Sequence, residues 1–251
     1  MKVTPLQTAS ITVNSGSIFD VIDSTVNGIE EGSILIITSK IISICEGSVM
    51  PIGEVDKEQL ITDQSDQYLA QAPTKHGVRF TITNNTLIPT AGIDESNGDG
   101  YYVLWPKNAQ QTANDIRKYL VEKYHLQKVG VVITDSTSQL LRRGTTGIAL
   151  AHSGFLALHD YVGQPDLFGK PMAVTQSNIS GGIAAAAVLA MGEGAERTPL
   201  CLVSDVPFVT FQQVNPSPEE LAELTIAVED DLFAPFLTAV QWEQGRRNQS
   251  S

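Results

Sequence analysis

Three short runs constrain this chain more than any other feature. "ILII" (34–37), "VGVVI" (129–133) and "LCLV" (200–203) are almost continuously apolar and rich in β-branched residues. Such runs do not alternate between inside and outside, so as strands they must be covered on both faces. Each passes directly into polar residues: Thr38-Ser39-Lys40, Thr134-Asp135-Ser136 and Ser204-Asp205. Covering both faces requires helices, and in α/β sheets ligands tend to bind off the C-terminal edge of the strands. The pattern predicts a mixed α+β fold with these polar groups at the ligand edge.

Helical patterns lie between the runs. "KNAQQTANDIRKYLVEKY" places Ala109, Ala113, Ile116 and Leu120 on one face, with Asn108 as cap. "GGIAAAAVLAMGEG" reads as a buried helix closed by Gly192. "NPSPEELAELTIAVEDDLFAPFLTAVQW" opens on a capping box, with Ser217 as N-cap, Pro218 at N1 and Glu220 at N3. Leu221, Leu224, Val228, Leu232, Phe236 and Val240 continue it as a helical stripe that Pro235 should kink or break. Residues 54–71 fit either a mobile flap or a surface helix. A chain of 251 residues holds one large domain or two small ones.

The net charge of -12 argues against nucleic acid and anionic membrane surfaces as partners. Cys45 and Cys201 lie far apart among apolar residues with no CxxC pair, so they read as buried small hydrophobes rather than zinc ligands or a disulfide. No stretch has the form of a signal peptide, and the longest apolar run, "IAAAAVLAM", is too short to span a bilayer. The expectation is a cytoplasmic protein.

Candidate chemistry gathers at a few points. "TAGIDESNGDGYYVLWP" (90–106) sets Asp94, Glu95, Ser96 and Asn97 between Gly92 and Gly98. It is either a plain Asx-Gly turn or a turn that holds oxygen ligands for a cation. Asp135, taken alone, suits a helix cap as well as a site. Arg142 and Arg143 before Gly144 suit a phosphate or carboxylate, which guanidinium groups bind bidentately, or are a solvated basic pair. Glu193 sits between two glycines. Oxygen donors without clustered His or Cys point to a hard cation, Mg²⁺ or Mn²⁺. His152 and His159 are wrongly spaced for a zinc helix, and neither GxxxxGK[ST] nor a GxGxxG after a strand is present, so the fold is neither P-loop nor Rossmann.

"AGIDESN", "VVITDS...LRRGTTGIALAHSGF", "HDYVGQPDLFGKPM" and "AAAAVLAMGEG", in this order, resemble the coenzyme F-420:gamma-glutamyl ligase family. "DGYYVLWP" and "DVPFVTFQ" are closest to its relatives described as folate-metabolism gamma-glutamate ligases. The resemblance covers nearly the whole chain. It implies one gamma-glutamyl-ligase-like domain over 1–245, in one or two lobes, a disordered tail over 246–251, and an intertwined homodimer. It also implies a ligase that uses GTP or ATP and Mg²⁺ or Mn²⁺ to add L-glutamate to a carboxylate-bearing cofactor.

By that resemblance Asp94, Asp135, Ser136 and Glu193 are metal ligands, with Asp94 and Asp135 sharing one metal cluster. Ser39, Lys40, Asn97, Gly192 and Glu193 contact nucleotide, while Asp94, Asp135, Arg142 and Arg143 form the catalytic set. The chain departs from the family pattern in four places, the last of them a pair of residues. Ile44 replaces a lysine, Ser48 and Gln139 each replace an arginine, and Gly181-Gly182 stand where an acidic residue is usual. These departures keep two other readings open: a weakened metal-, nucleotide- or pterin-binding protein, and a metal-dependent phosphohydrolase.

Overall fold

The structure is a computed structural model that describes residues 1–71, 74 and 76–247. The chain divides into two compact units, one of residues 1–46 with 107–224 and one of residues 47–106 with the stretch from Thr225 onward.

The first unit begins with β1 (Lys2–Leu6), α1 (Ile18–Thr25), β2 (Ser33–Thr38) and α2 (Ser39–Glu46). The second unit holds β3 (Val49–Pro51), α3 (Lys57–Gln64), β4 (Gln67–Leu69), β5 (Phe80–Thr83), β6 (Thr86–Pro89) and β7 (Tyr101–Val103). The chain then returns to the first unit with α4 (Ala109–Tyr124), β8 (Val129–Ser138), β9 (Thr145–Ser153), β10 (Leu158–Asp160), β11 (Gln176–Asn178), α5 (Ile179–Met191), β12 (Leu200–Ser204) and α6 (Pro218–Ala222). Last come α7 (Ala234–Leu237) and β13 (Trp242–Gln244) of the second unit.

The apolar runs are the middle of a five-stranded sheet ordered β1-β12-β2-β8-β9. Its alternate residues feed two cores. Leu35, Ile37, Val131 and Ile133 pack with residues of α1, α2 and α4, while Ile34, Ile36, Val132, Cys201 and Val203 pack with Ile183, Ala184 and Ala187 of α5. Coverage on both faces is why these strands read as unbroken apolar runs. The α5 contact is close, because an ideal Cβ built on Gly147 of β9 would lie 2.5 Å from the Ala184 carbonyl oxygen. Asn108 caps α4 by accepting from Gln111 N–H, and Gly192 closes α5, as the sequence predicts.

Two expectations are corrected. β2 and β8 run parallel, but β12 is antiparallel to β2, with Leu200 opposite Ile37 and Val203 opposite Ile34. Ser204 and Asp205 therefore leave the sheet at the edge opposite Ser39 and Asp135. The acidic segment is also not one long helix. The Ser217–Glu220 capping box is present, but α6 has five residues, and α7 starts afresh with Pro235 in its first turn. Leu232, Phe236 and Val240 remain exposed, so the burial that holds an amphipathic helix together is missing.

In the second unit β13-β4-β5-β6 form an antiparallel sheet and β3 pairs with β7. Leu60 and Ile61 of α3 pack with Ala91, Ile93 and Tyr102, so the polar 54–71 stretch contains a short amphipathic helix. Gly245, Arg246 and Arg247 donate backbone N–H groups to Asp66, Thr62 and Ser65 carbonyls. The rest of the expected tail, 248–251, lies outside the described residues. Among the described residues no helix is long and apolar enough to cross a membrane.

Candidate functional site

Parallel pairing of β2 with β8 brings Thr38 opposite Thr134, so Ser39 and Lys40 leave the sheet beside Asp135. Ser39 is the buried first residue of α2. The expectation that Asp135 ends its strand is corrected: β8 runs on to Ser138. Its register against β9 shifts between Ile133 and Thr134, where β9 carries Leu150 as an extra residue, and beyond this bulge the hairpin leaves the buried sheet. Bulges re-aim side chains in this way.

Past the bulge, Ser136 Oγ donates to Glu193 Oε1 at 2.7 Å, and Thr145 Oγ1 donates to the same oxygen at 3.3 Å. The turn after α5 makes this possible. Gly192 (φ +81°) donates its N–H to Val188 O, and Gly194 N–H donates to Glu196 Oε2 at 2.8 Å, which folds Glu193 back toward the hairpin. Alternation along a strand turns Asp135 to the face opposite Ser136. The structure thus joins Ser136, Thr145 and Glu193, and sets Asp135 on the other side of the same strand. Arg142 and Arg143 are exposed in the loop that closes the hairpin. Thr145 was missed in the sequence because strand β9 was not recognised; the alternation of "TTGIALAHS" is the signal that would have found it.

Asp94 and Asn97 belong to the second unit. Asp94 exchanges both backbone hydrogen bonds with Val103, and its Oδ1 accepts from Ser96 N–H at 2.7 Å and Ser96 Oγ at 2.8 Å. Glu95 pairs with Lys57 of α3. Asn97 adopts a left-handed φ of 53°. Gly92 (φ +73°) has the Trp105 indole where a Cβ would be, so only glycine fits before this turn. The turn is therefore a formed Asx turn, built so that Asp94 is half-buried and Asn97 exposed.

The donors gathered around Glu193 are carboxylate and hydroxyl oxygens, the ligand type of Mg²⁺ or Mn²⁺ rather than zinc. Among the described residues no group of three or more His, Cys, Asp or Glu forms a metal-holding cluster. A cation in this unit would rely on hydroxyl and substrate oxygens as well.

Residues 12–205 match the family described as F420-0:Gamma-glutamyl ligase. The chain belongs to this family. Its relatives include the Coenzyme F420:L-glutamate ligase of Methanocaldococcus jannaschii, 33% identical over 72% of this chain and 79% of that protein. The enzyme of the same name from Methanococcus maripaludis is 32% identical over 82% of this chain and 86% of its own length. That from Archaeoglobus fulgidus is 29% identical over 81% and 87%. The protein is thus a ligase enzyme.

Two buried ionisable groups stiffen the far edge of the ligase's main sheet. Arg117 of α4 donates from Nε to Ser153 Oγ at 3.1 Å, from Nη1 to Gln213 O at 3.3 Å and from Nη2 to Asn215 Oδ1 at 2.8 Å. Burial lowers its pKa from the usual arginine value. It ties the 213–215 segment to α4 and β9 with neutral acceptors. Burial also pushes His152 down to about 4, with the Glu220 charge opposing that shift, so the imidazole is neutral near pH 7. Cys201, inside the sheet, is pushed up to about 11 by burial, and half-buried Cys45 is raised for the same reason. At both positions burial disfavours the thiolate, the form that reacts.

Proposed function

We propose that this ligase adds L-glutamate through an amide bond to a carboxylate of a coenzyme F-420-like or folate-like acceptor, using GTP or ATP. The family match, with relatives named for glutamate ligation to coenzyme F420, carries the reading. The terminal phosphoryl group passes to the acceptor carboxylate, giving an acyl phosphate and the nucleoside diphosphate. The glutamate amine then attacks the acyl carbon, inorganic phosphate leaves, and the amine loses a proton.

The chain's own groups divide this work. Ser39, Lys40 and the Gly192–Glu193 turn of the first unit contact the nucleotide, and Asn97 is a polar ligand group of the second unit. Arg142 and Arg143, on an exposed loop, offer bidentate donors to the acceptor or glutamate carboxylate. Glu193 with Ser136 suits one Mg²⁺ or Mn²⁺ ion, Asp135 a second, and Asp94 is a carboxylate ligand in its own unit. Such ions, when bound, neutralise phosphate charge during transfer. The ligase also acts as a homodimer in this proposal.

The deciding experiment incubates the protein with Mg²⁺ or Mn²⁺, each nucleotide, glutamate and deazaflavin or pterin acceptors. It reads phosphate release together with the mass of the acceptor. Phosphate release that needs both substrates, with one added glutamyl unit, supports the ligase. Release without glutamate marks a phosphohydrolase, and ligand binding without release marks a binding protein. The last reading is favoured by Gln139, an exposed uncharged side chain where the resemblance implies an arginine.

A further inference from the structure

Beside the β10–β11 ladder that leads into α5, away from Glu193, three aromatic rings meet. His159 and Tyr161 stand edge-to-face with centroids 4.5 Å apart, and Phe208 lies 5.3 Å from His159 and 6.4 Å from Tyr161. Each ring rests on tied backbone. His159 pairs with Ser177 in the β10–β11 ladder, and Tyr161 N–H donates to Thr175 O. The Phe208 loop is held at its C-terminal side by Leu156 N–H to Thr210 O and by Gln212 N–H to Gly154 O, both 2.9 Å.

Packing does not account for Phe208. In "DVPFVTF" its neighbours Val206, Val209 and Phe211 point into the α5-side core. Phe208 does not; it is 61% exposed. Its backbone is left-handed (φ 62°), as is that of Asp205 at the start of the loop (φ 53°). For a bulky non-glycine residue that conformation is strained, and strained residues held in place by their surroundings cluster at ligand sites. An exposed ring held on strained backbone against two others is a stacking surface for a planar ligand.

We propose that His159, Tyr161 and Phe208 form the platform on which the planar heteroaromatic ring of the acceptor stacks. The inference rests on the glutamate-ligase reading for the identity of the ring. The platform lies at the start of α5 and Glu193 just past its end. Thirteen residues of helix separate them, about 20 Å. That separation suits an acceptor whose ring and reacting carboxylate sit at opposite ends of a long arm.

The test titrates the full-length protein with a ribityl-deazaflavin that lacks phosphate and carboxylate, and separately with a simple pterin, each followed by fluorescence polarisation. One ring binds the wild type saturably. Phe208→Ala weakens it about ten- to a hundredfold, the usual effect of removing a stacking ring, and Phe208→Trp restores it. Far-UV circular dichroism verifies that the variants are folded. In glutamyl transfer Phe208→Ala raises the acceptor KM and leaves kcat unchanged. If neither ring binds the wild type, or Phe208→Ala binds as tightly as wild type, the platform is overturned even where transfer proceeds. If ring binding is lost in Phe208→Ala while the wild type transfers no glutamate, the platform stands and the ligase reading falls.

Discussion

Single residues show how far chemistry can be read before the fold is known. Ser136 and Glu193, 57 positions apart, are joined by a hydrogen bond that no local pattern contains. Asp135 and Ser136, adjacent in sequence, are parted by the alternation of the strand. Ile44 illustrates the opposite limit. Its place in the family pattern makes it a missing phosphate contact, yet the side chain is buried. Ile44→Lys therefore places an ammonium at a buried position. It should lower stability by about 3 kcal/mol rather than tighten nucleotide binding. Urea unfolding with a parallel nucleotide titration checks this, and unchanged stability with tighter binding would contradict it. His152 gives the pH counterpart. Its folded pKa of about 4 lies below the ordinary value of 6.5, so between these values the unfolded chain binds the extra proton. Stability is full above about pH 6.5 and falls as the pH drops toward 4, by about 3 kcal/mol for this group. His152→Gln should flatten that part of the denaturation profile; a profile unchanged from wild type would contradict the assignment.

At the scale of elements, what depends on local pattern was legible and what depends on pairing was not. The buried strands, the Asn108 cap, the Gly192 stop and the Ser217 capping box are local statements, and each is present. The direction of β12 and the bulge between β8 and β9 depend on strand pairing, and the apolar run "LCLV" is the same whether its strand is parallel or antiparallel. The stripe from Leu221 to Val240 failed for a related reason, since periodicity describes a face but does not supply the surface that buries it. Gly147 shows what close docking demands. Gly147→Ala brings a methyl against the Ala184 carbonyl and the Val188 side chain, and α5 must move away from β9. Overpacking of this kind costs about 1–3 kcal/mol. Because α5 carries the turn that delivers Glu193 to Ser136, glutamyl transfer should fall together with stability. Thermal denaturation beside the transfer assay checks the link, and full activity at a lowered Tm would separate the two.

For the whole molecule the question is what covers the apolar side chains that the chain leaves outside. Leu141 is 97% exposed in the β8–β9 loop, and Leu167 and Phe168 are 92% and 91% exposed at a turn held by Asp166. Neighbouring apolar residues left open in this way are typical of protein–protein contact surfaces. A second copy is the occupant expected here, in keeping with the proposed homodimer. Each copy carries a net charge of -12, so association works against charge repulsion and must draw on apolar burial. Two consequences follow from that balance. Raising the ionic strength from about 0.01 M to 0.15 M shortens the Debye length from about 30 Å to 8 Å and should tighten the dimer. Replacing Leu167 and Phe168 together by aspartate should shift the protein toward monomer, because it removes apolar area and adds charge at once. Sedimentation equilibrium at micromolar concentration measures both effects. A wild-type monomer at every salt concentration would sink the homodimer, and a dimer unaffected by the double substitution would move its interface away from this turn.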